Sequence, residues 1–196
     1  MYRKILGWSI ALIAVLMLIT YFLMNNSGFY ITEDRALRGS YPYTEGEVVF
    51  KKAYKDKNII VWKTPSGSFA KVIEPMWGIF YYVSQSAQLS PIRSMTWREG
   101  DLERTWSASL NSNEKYETVL AARSDNPEIK RVVVSNDNID NASEDLEEIK
   151  KNSTVFIELK LENGTAASWV ELDPQNTGEF VFRGINEKGK IVTLVR

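Results

Sequence analysis

The sequence predicts a mainly β protein: one N-terminal transmembrane helix, then an antiparallel β ectodomain made of two small packed β subdomains with two short helices. Three observations predict it. Ile5 to Met24 is an unbroken apolar run without a charge, and Arg3 and Lys4 precede it. Roughly twenty such residues rise about 30 Å as a helix, the thickness of a bilayer's hydrocarbon core. From Glu45 onward, short β-branched and aromatic runs alternate with turn sequences. Those connections are too short for crossover helices, so consecutive strands run antiparallel.

The apolar run reads as an uncleaved signal-anchor. A removable signal has a shorter apolar stretch that closes on small residues, whereas this one closes on Tyr21, Phe22, Leu23, Met24, Asn25 and Asn26. Arg3 and Lys4 lie on its short side without an acid, while Arg35 and Arg38 beyond it are accompanied by Glu33 and Asp34. The positive-inside bias therefore puts the N-terminus in the cytoplasm and residues 30–196 outside, in a single-pass protein of the cell membrane. The expected organisation is 1–30 anchor, 31–111 juxtamembrane helix and β meander, and 112–196 a second β subdomain.

After the link Gly28–Tyr30, residues 32–39 read as a two-turn helix. Thr32 is the N-cap, Glu33 and Asp34 stand in the first turn, Arg38 in the last, and Gly39 stops it. Its inward residue, Leu37, should dock on the domain. Strands are then expected at Val48–Phe50, Ile59–Trp62, Phe69–Ile73 and Ile79–Val83, separated by Lys55–Asn58, Pro65–Gly67 and Pro75–Gly78. Ile92–Trp97 and Thr105–Leu110 would form another hairpin about the charged turn 98–103. Residues 111–117 read as a boundary. Six more strands are expected at Thr118–Ala122, Ile129–Val134, Val155–Leu161, Ala166–Leu172, Glu179–Arg183 and Ile191–Val195. Asn163-Gly164 signals a hairpin between two of them, and Glu187–Lys190 should make the last turn. A short helix near 143–151 takes Ser143 as its cap.

Two stretches resemble the uncharacterised membrane-anchored or lipoprotein-like, extracytoplasmic β-rich proteins of Gram-positive bacteria. One runs from Gly46-Glu47-Val48-Val49-Phe50 through Ile59–Lys63 to Trp77–Val83; the other joins Asn126–Val134 to Asn186–Val192. The resemblance implies location and fold, and it carries no activity or site. The chain has no cysteine for a lipobox, so lipidation is not implied.

The balance of 24 Lys and Arg against 25 Asp and Glu does not suggest nucleic acid. With no cysteine, the domain must be held by its core. With no histidine either, Ser-His and Cys-His nucleophiles, His/Cys zinc sites and the usual haem or iron–sulfur ligation are excluded. Four N-x-S/T sites, at Asn25, Asn141, Asn152 and Asn163, read as chance.

The remaining chemistry is oxygen-based. Ser68–Lys71 and Ser112–Lys115 match S-x-x-K, but the first lies in a strand, where residues three apart face opposite ways. Asn136, Asn138, Asp140 and Glu147 fall at positions 1, 3, 5 and 12 of an EF-hand-like loop that lacks the Asp at 1 and the Gly at 6. The acids from Asp137 to Glu148 read as a solvated loop and helix face. Glu99, Asp101 and Glu103 could supply a carboxylate pair, though an ion-paired hairpin tip is the better reading. Finally, consecutive Phe80, Tyr81 and Tyr82 must turn at least one ring outward from a one-sided sheet. Trp77, Tyr81 and Tyr82 are thus the candidate interaction surface. The expected protein is a non-enzymatic binding module at the envelope without cofactor or metal. It would be held in the membrane by residues 5–24 and would take an envelope protein or polysaccharide as partner. The competing expectations are a carboxylate-dependent envelope hydrolase and a structural subunit of a membrane complex.

Overall fold

The computed structural model describes residue 10 and residues 12–21, 28–91, 102–137 and 145–195. Helix α1 (residues 12–21) is apolar on every side: Leu12, Ile13, Val15, Leu16, Met17, Leu18 and Ile19 are all at least 50% exposed. Among the described residues no helix is long and apolar enough to cross a membrane. Residues 5–9, 11 and 22–24 of the expected span lie outside the described residues.

The domain is mainly β, as expected, and its sheets are antiparallel. Sheet A is the meander β1 (Glu47–Tyr54), β2 (Lys57–Thr64), β3 (Gly67–Met76) and β4 (Phe80–Gln88), in that spatial order. Sheet B joins β5 (Ser90–Pro91), β6 (Glu103–Leu110), β7 (Tyr116–Arg123) and β10 (Thr165–Leu172) in the order β10-β7-β6-β5. Sheet C takes β8 (Arg131–Ser135), β9 (Phe156–Lys160), β11 (Val181–Ile185) and β12 (Ile191–Val195) in the order β12-β11-β8-β9.

Three sheets replace the expected two because β7 is apolar on both faces. Val119 and Ala121 pack with Ile59, Val61, Ala70 and Val72 of sheet A. Leu120 and Ala122, on the alternate side, pack with Val132, Val134, Leu159 and Phe182 of sheet C. A strand with two dry faces needs a sheet on each side, so sheet B becomes the middle layer. Each outer sheet is capped in turn by a helix: α2 (Glu33–Arg38) sets Leu37 on Ile60, Trp62 and Ile73 of sheet A. Helix α3 (Leu146–Lys151) sets Ile149 on Val133, Ile185 and Ile191 of sheet C.

Several local expectations shift under this packing. Of the 111–117 segment, residues 111–115 are the β6–β7 turn and 116–117 already belong to β7, so strands from both halves of the chain share sheet B; β6 and β7 pair from Glu103↔Arg123 to Leu110↔Tyr116. Asn163 and Gly164 do take the left-handed conformation of a tight hairpin (φ 50° and 76°). The hairpin, however, closes only the bridge Glu162↔Thr165. Beyond it β9 joins sheet C and β10 joins sheet B, because Leu159 and Ala166 are needed on facing sides of one core. Helix α3 is capped by Asp145, whose side chain accepts from the Glu147 and Glu148 N–H groups; Ser143 lies outside the described residues. Helix α2 is capped by Thr32, as expected. Gly39 ends it for a packing reason, since a Cβ there would sit 2.3 Å from the Tyr30 ring, whose hydroxyl donates to Gly39 O at 2.6 Å.

Each outer sheet buries a cation beneath its helix layer. Lys71 of β3 donates to Leu37 O (2.8 Å), Ser40 Oγ (2.9 Å) and Ser40 O (3.3 Å), capping the C-terminal end of α2. Burial holds its ammonium pKa down to about 8. Arg183 of β11 makes a bidentate pair with Asp137 (2.8 and 2.9 Å) and donates to Ser135 Oγ. Both charged side chains are wholly buried. Asp137 is therefore an internal counter-ion, which corrects its reading as part of a solvated acidic loop.

Candidate functional site

The β3–β4 hairpin carries the candidate surface. Its turn runs from Met76 to Ile79, with Ile79 N–H donating to Met76 O at 3.3 Å. Trp77 and Gly78 both take positive φ, 53° and 72°. Glycine adopts that conformation freely; a bulky aromatic residue does so at a cost of about 1 kcal/mol or more. Among the described residues nothing in the core recovers that cost, because Trp77 is 81% exposed and its ring meets only Phe80, edge-on at 6.4 Å. Ile79 beside it is 61% exposed.

The other two predicted residues are placed differently. Tyr81 is half-buried and packs against the cluster of Leu37, Ile60, Trp62 and Ile73. Tyr82 is half-buried on the opposite face, where its hydroxyl donates to Glu74 Oε2 at 3.0 Å and its ring meets Phe29 edge-on at 5.8 Å. Burial, and then the Glu74 carboxylate, raise the Tyr82 phenol. Glu74 is 3.2 Å from Lys57, which also bonds Glu117 of sheet B. Burial opposes the Lys57 charge, but the bonds to Glu117 and Glu74 outweigh it and raise its pKa. Tyr82 thus ends a polar chain that ties sheet A to sheet B. The outward ring is Trp77.

The segment that leads from α1 docks beside this tip. Tyr30 and Tyr81 exchange both backbone hydrogen bonds (2.8 and 2.7 Å), so the link is stitched to the edge of sheet A at β4. Ile31 follows and is 51% exposed. Trp77 and Ile79 in the turn and Ile31 in the link next to the Tyr30–Tyr81 bridge are thus exposed apolar residues at this end of sheet A. Sequence reading missed Ile31 and Ile79; the clue was present in the uncharged stretch Pro75–Val83, which carries a turn that would ordinarily be polar. A second aromatic pair, Tyr41 and Tyr43, stands at the other end of sheet A, against Phe69.

Among the described residues the alternative chemistries find no assembled site. Ser68 lies with Ala70 on the face of β3 towards sheet B, whereas Lys71 points to α2. Lys115 and Ser112 belong to the β6–β7 turn, where Asn111 Oδ1 accepts from the Asn113 and Lys115 N–H groups. Asn136 Oδ1 is taken by the N–H groups of Thr154 and Val155, and Asn138 and Asp140 lie outside the described residues. Glu103 pairs with Arg123 at 3.2 Å, while Glu99 and Asp101 lie outside the described residues. Among the described residues no three acidic side chains gather as metal ligands.

Comparison with known proteins finds no matching family model, no similar curated protein and no similar solved structure, so the function is read from the residues themselves.

Proposed function

We propose that this chain is a single-span, membrane-anchored extracytoplasmic protein whose three-sheet domain is a non-enzymatic interaction module of the cell envelope. Residues 5–24 are the span, the N-terminus is cytoplasmic, and residues 30–196 are outside, in keeping with the resemblance to anchored β-rich proteins of Gram-positive bacteria. An apolar helix that offers no polar face suits a bilayer better than water, and α1 has that character.

The observation that carries the interaction role is Trp77. A large ring, 81% exposed, occupies a left-handed turn position that Asn or Gly would fill without strain. Backbone strain spent on presenting an unsupported aromatic side chain to the outside is a reason to look for what that side chain meets.

The test is Trp77→Asn in the full-length chain. Asn-Gly suits this turn, so the variant should gain about 0.5–1 kcal/mol in unfolding free energy, read by urea titration. Crosslinking in the native membrane should at the same time lose the contacts made by the wild-type tip. A variant that is no more stable and keeps every contact would remove the interaction role from Trp77.

A further inference from the structure

We infer that the apolar tip formed by Trp77, Ile79 and Ile31 inserts into the headgroup region of the same bilayer that holds the anchor, seating the domain on the membrane. The inference rests on the anchor reading above and names what the tip meets.

Tether length is the first argument. Only three residues separate Met24, the end of the apolar run, from Gly28, and the four steps between them span at most about 14 Å. From Phe29 the chain is already part of the domain: its ring packs on Tyr82, and Tyr30 is hydrogen-bonded to Tyr81 in both directions. Ile31 follows immediately, and Ile79 lies two residues before Tyr81, at the end of the turn that leads into β4. A domain held this closely cannot stand clear of the bilayer, and the exposed apolar residues lie beside its point of attachment. Tyr41 and Tyr43 are at the far end of the sheet.

Charge is the second. Residues 75–83 contain no ionisable group other than tyrosine, so the turn can enter the headgroup zone without desolvating a charge. The acids near it are already paired, Glu33 with Lys51 (2.5 Å) and Glu74 with Lys57 (3.2 Å). Tryptophan in particular favours the membrane–water boundary, where its ring is in apolar surroundings and its N–H stays wet.

Area is the third. Three side chains expose a few hundred Å² at most, well below the roughly 800 Å² per partner of a stable protein interface. A tethered tip needs far less, because the anchor already holds it at high effective concentration against the bilayer.

The absence of cysteine permits a direct test. Full-length Trp77→Cys, Ile79→Cys and Tyr43→Cys variants are labelled with an environment-sensitive fluorophore and reconstituted into phosphatidylcholine/phosphatidylglycerol vesicles. Labels at 77 and 79 should shift to the blue and be quenched by spin-labelled lipid, while the label at 43 stays accessible to an aqueous quencher. Two label sites guard against a local disturbance at either. Alkaline carbonate extraction is run alongside. A chain that resists extraction but keeps wet labels at 77 and 79 overturns the docking alone. A chain released by carbonate overturns the anchor reading and the docking with it. Shielding that appears only when envelope protein or polysaccharide is added assigns the tip to that partner and overturns the bilayer assignment.

Discussion

Sheets A and C solve one problem in two ways. Each is an outer layer that packs one face on sheet B and the other beneath a short helix, and each buries a cation there. In sheet C the charge of Arg183 meets the Asp137 carboxylate in a bidentate pair, with Ser135 as a further acceptor. In sheet A the Lys71 ammonium meets the neutral oxygens of Leu37 and Ser40 and the face of the Trp62 ring at 5.9 Å, and among the described residues it has no carboxylate partner. Neutral oxygens satisfy an ammonium's hydrogens but leave its charge uncompensated, so burial drives its pKa down. The Arg183 pair ties β11 to the end of β8; the Lys71 contacts instead hold a helix end, the one stitched through Tyr30 to the edge strand β4. The half of the molecule next to the tether is therefore closed by the weaker and more titratable device.

The largest expected effect breaks the sheet C pair. Asp137→Ala strands a wholly buried guanidinium and should cost about 3–5 kcal/mol in urea unfolding. The double change Asp137→Leu with Arg183→Met should recover most of that loss, since removing both charges removes the desolvation penalty as well. A double variant as unstable as the single one would mean that the pair is not the reason for the loss. The equivalent change in sheet A, Lys71→Met, removes the charge and leaves three oxygens without their donor. It should cost about 1–2 kcal/mol, with the damage concentrated at α2: hydrogen exchange should quicken at Ala36 and Gly39, and not at Ile149. Uniform quickening across both helices would erase the asymmetry.

The pH dependence sharpens the same contrast. The Lys71 pKa in the folded chain, about 8, lies below its ordinary value of 10.5. Between those values the unfolded chain binds the proton more tightly, so stability should rise with pH from about 8 towards 10.5. Conversely, the cost of burying the ammonium is complete below pH 8. The raised tyrosines Tyr30 and Tyr82 act in the opposite sense, and only above about pH 10. Unfolding titrations between pH 7.5 and 9.5 should therefore show a gain in the wild type that vanishes in Lys71→Met. Persistence of that gain in the variant would assign it elsewhere. The smallest effects are at the caps. Asp145 accepts from two N–H groups (2.9 and 3.4 Å) and Thr32 from one (3.3 Å). Asp145→Ala should cost about 1 kcal/mol and Thr32→Ala about 0.5 kcal/mol, both read by thermal unfolding.

Much of this was legible from local chemistry. Thr32, the two acids after it and Gly39 marked α2, and Leu37 docks as its spacing implied. The strands of sheet A follow from β-branched runs between turns, because each turn there is short enough to dictate an antiparallel neighbour. Legibility failed where a residue's role depends on a remote segment. Asp137 looked like one more acid in a solvated run, and Arg183, 46 positions on, made it a buried counter-ion. Asn163-Gly164 formed its turn, yet the strands on either side went to different sheets. At the candidate site, Trp77 was named from the sequence together with Tyr81 and Tyr82; that the two tyrosines are half-buried, and that Ile31 and Ile79 are the other exposed apolar residues, was not legible.

The amino-acid sequence by itself determined the apolar N-terminal run, the antiparallel β character, the Thr32 cap of α2 and the turn at Pro75–Gly78. These depend on periodicity, backbone preference and composition over a few neighbouring residues. Only the tertiary structure decided that there are three layers rather than two, which cations are buried, and which apolar side chains stay outside. Those outcomes turn on which faces meet. Strand alternation assigns residues to two sides without saying what covers either, and only the stacking of sheets A, B and C leaves Trp77 and Ile79 uncovered beside the docked tether.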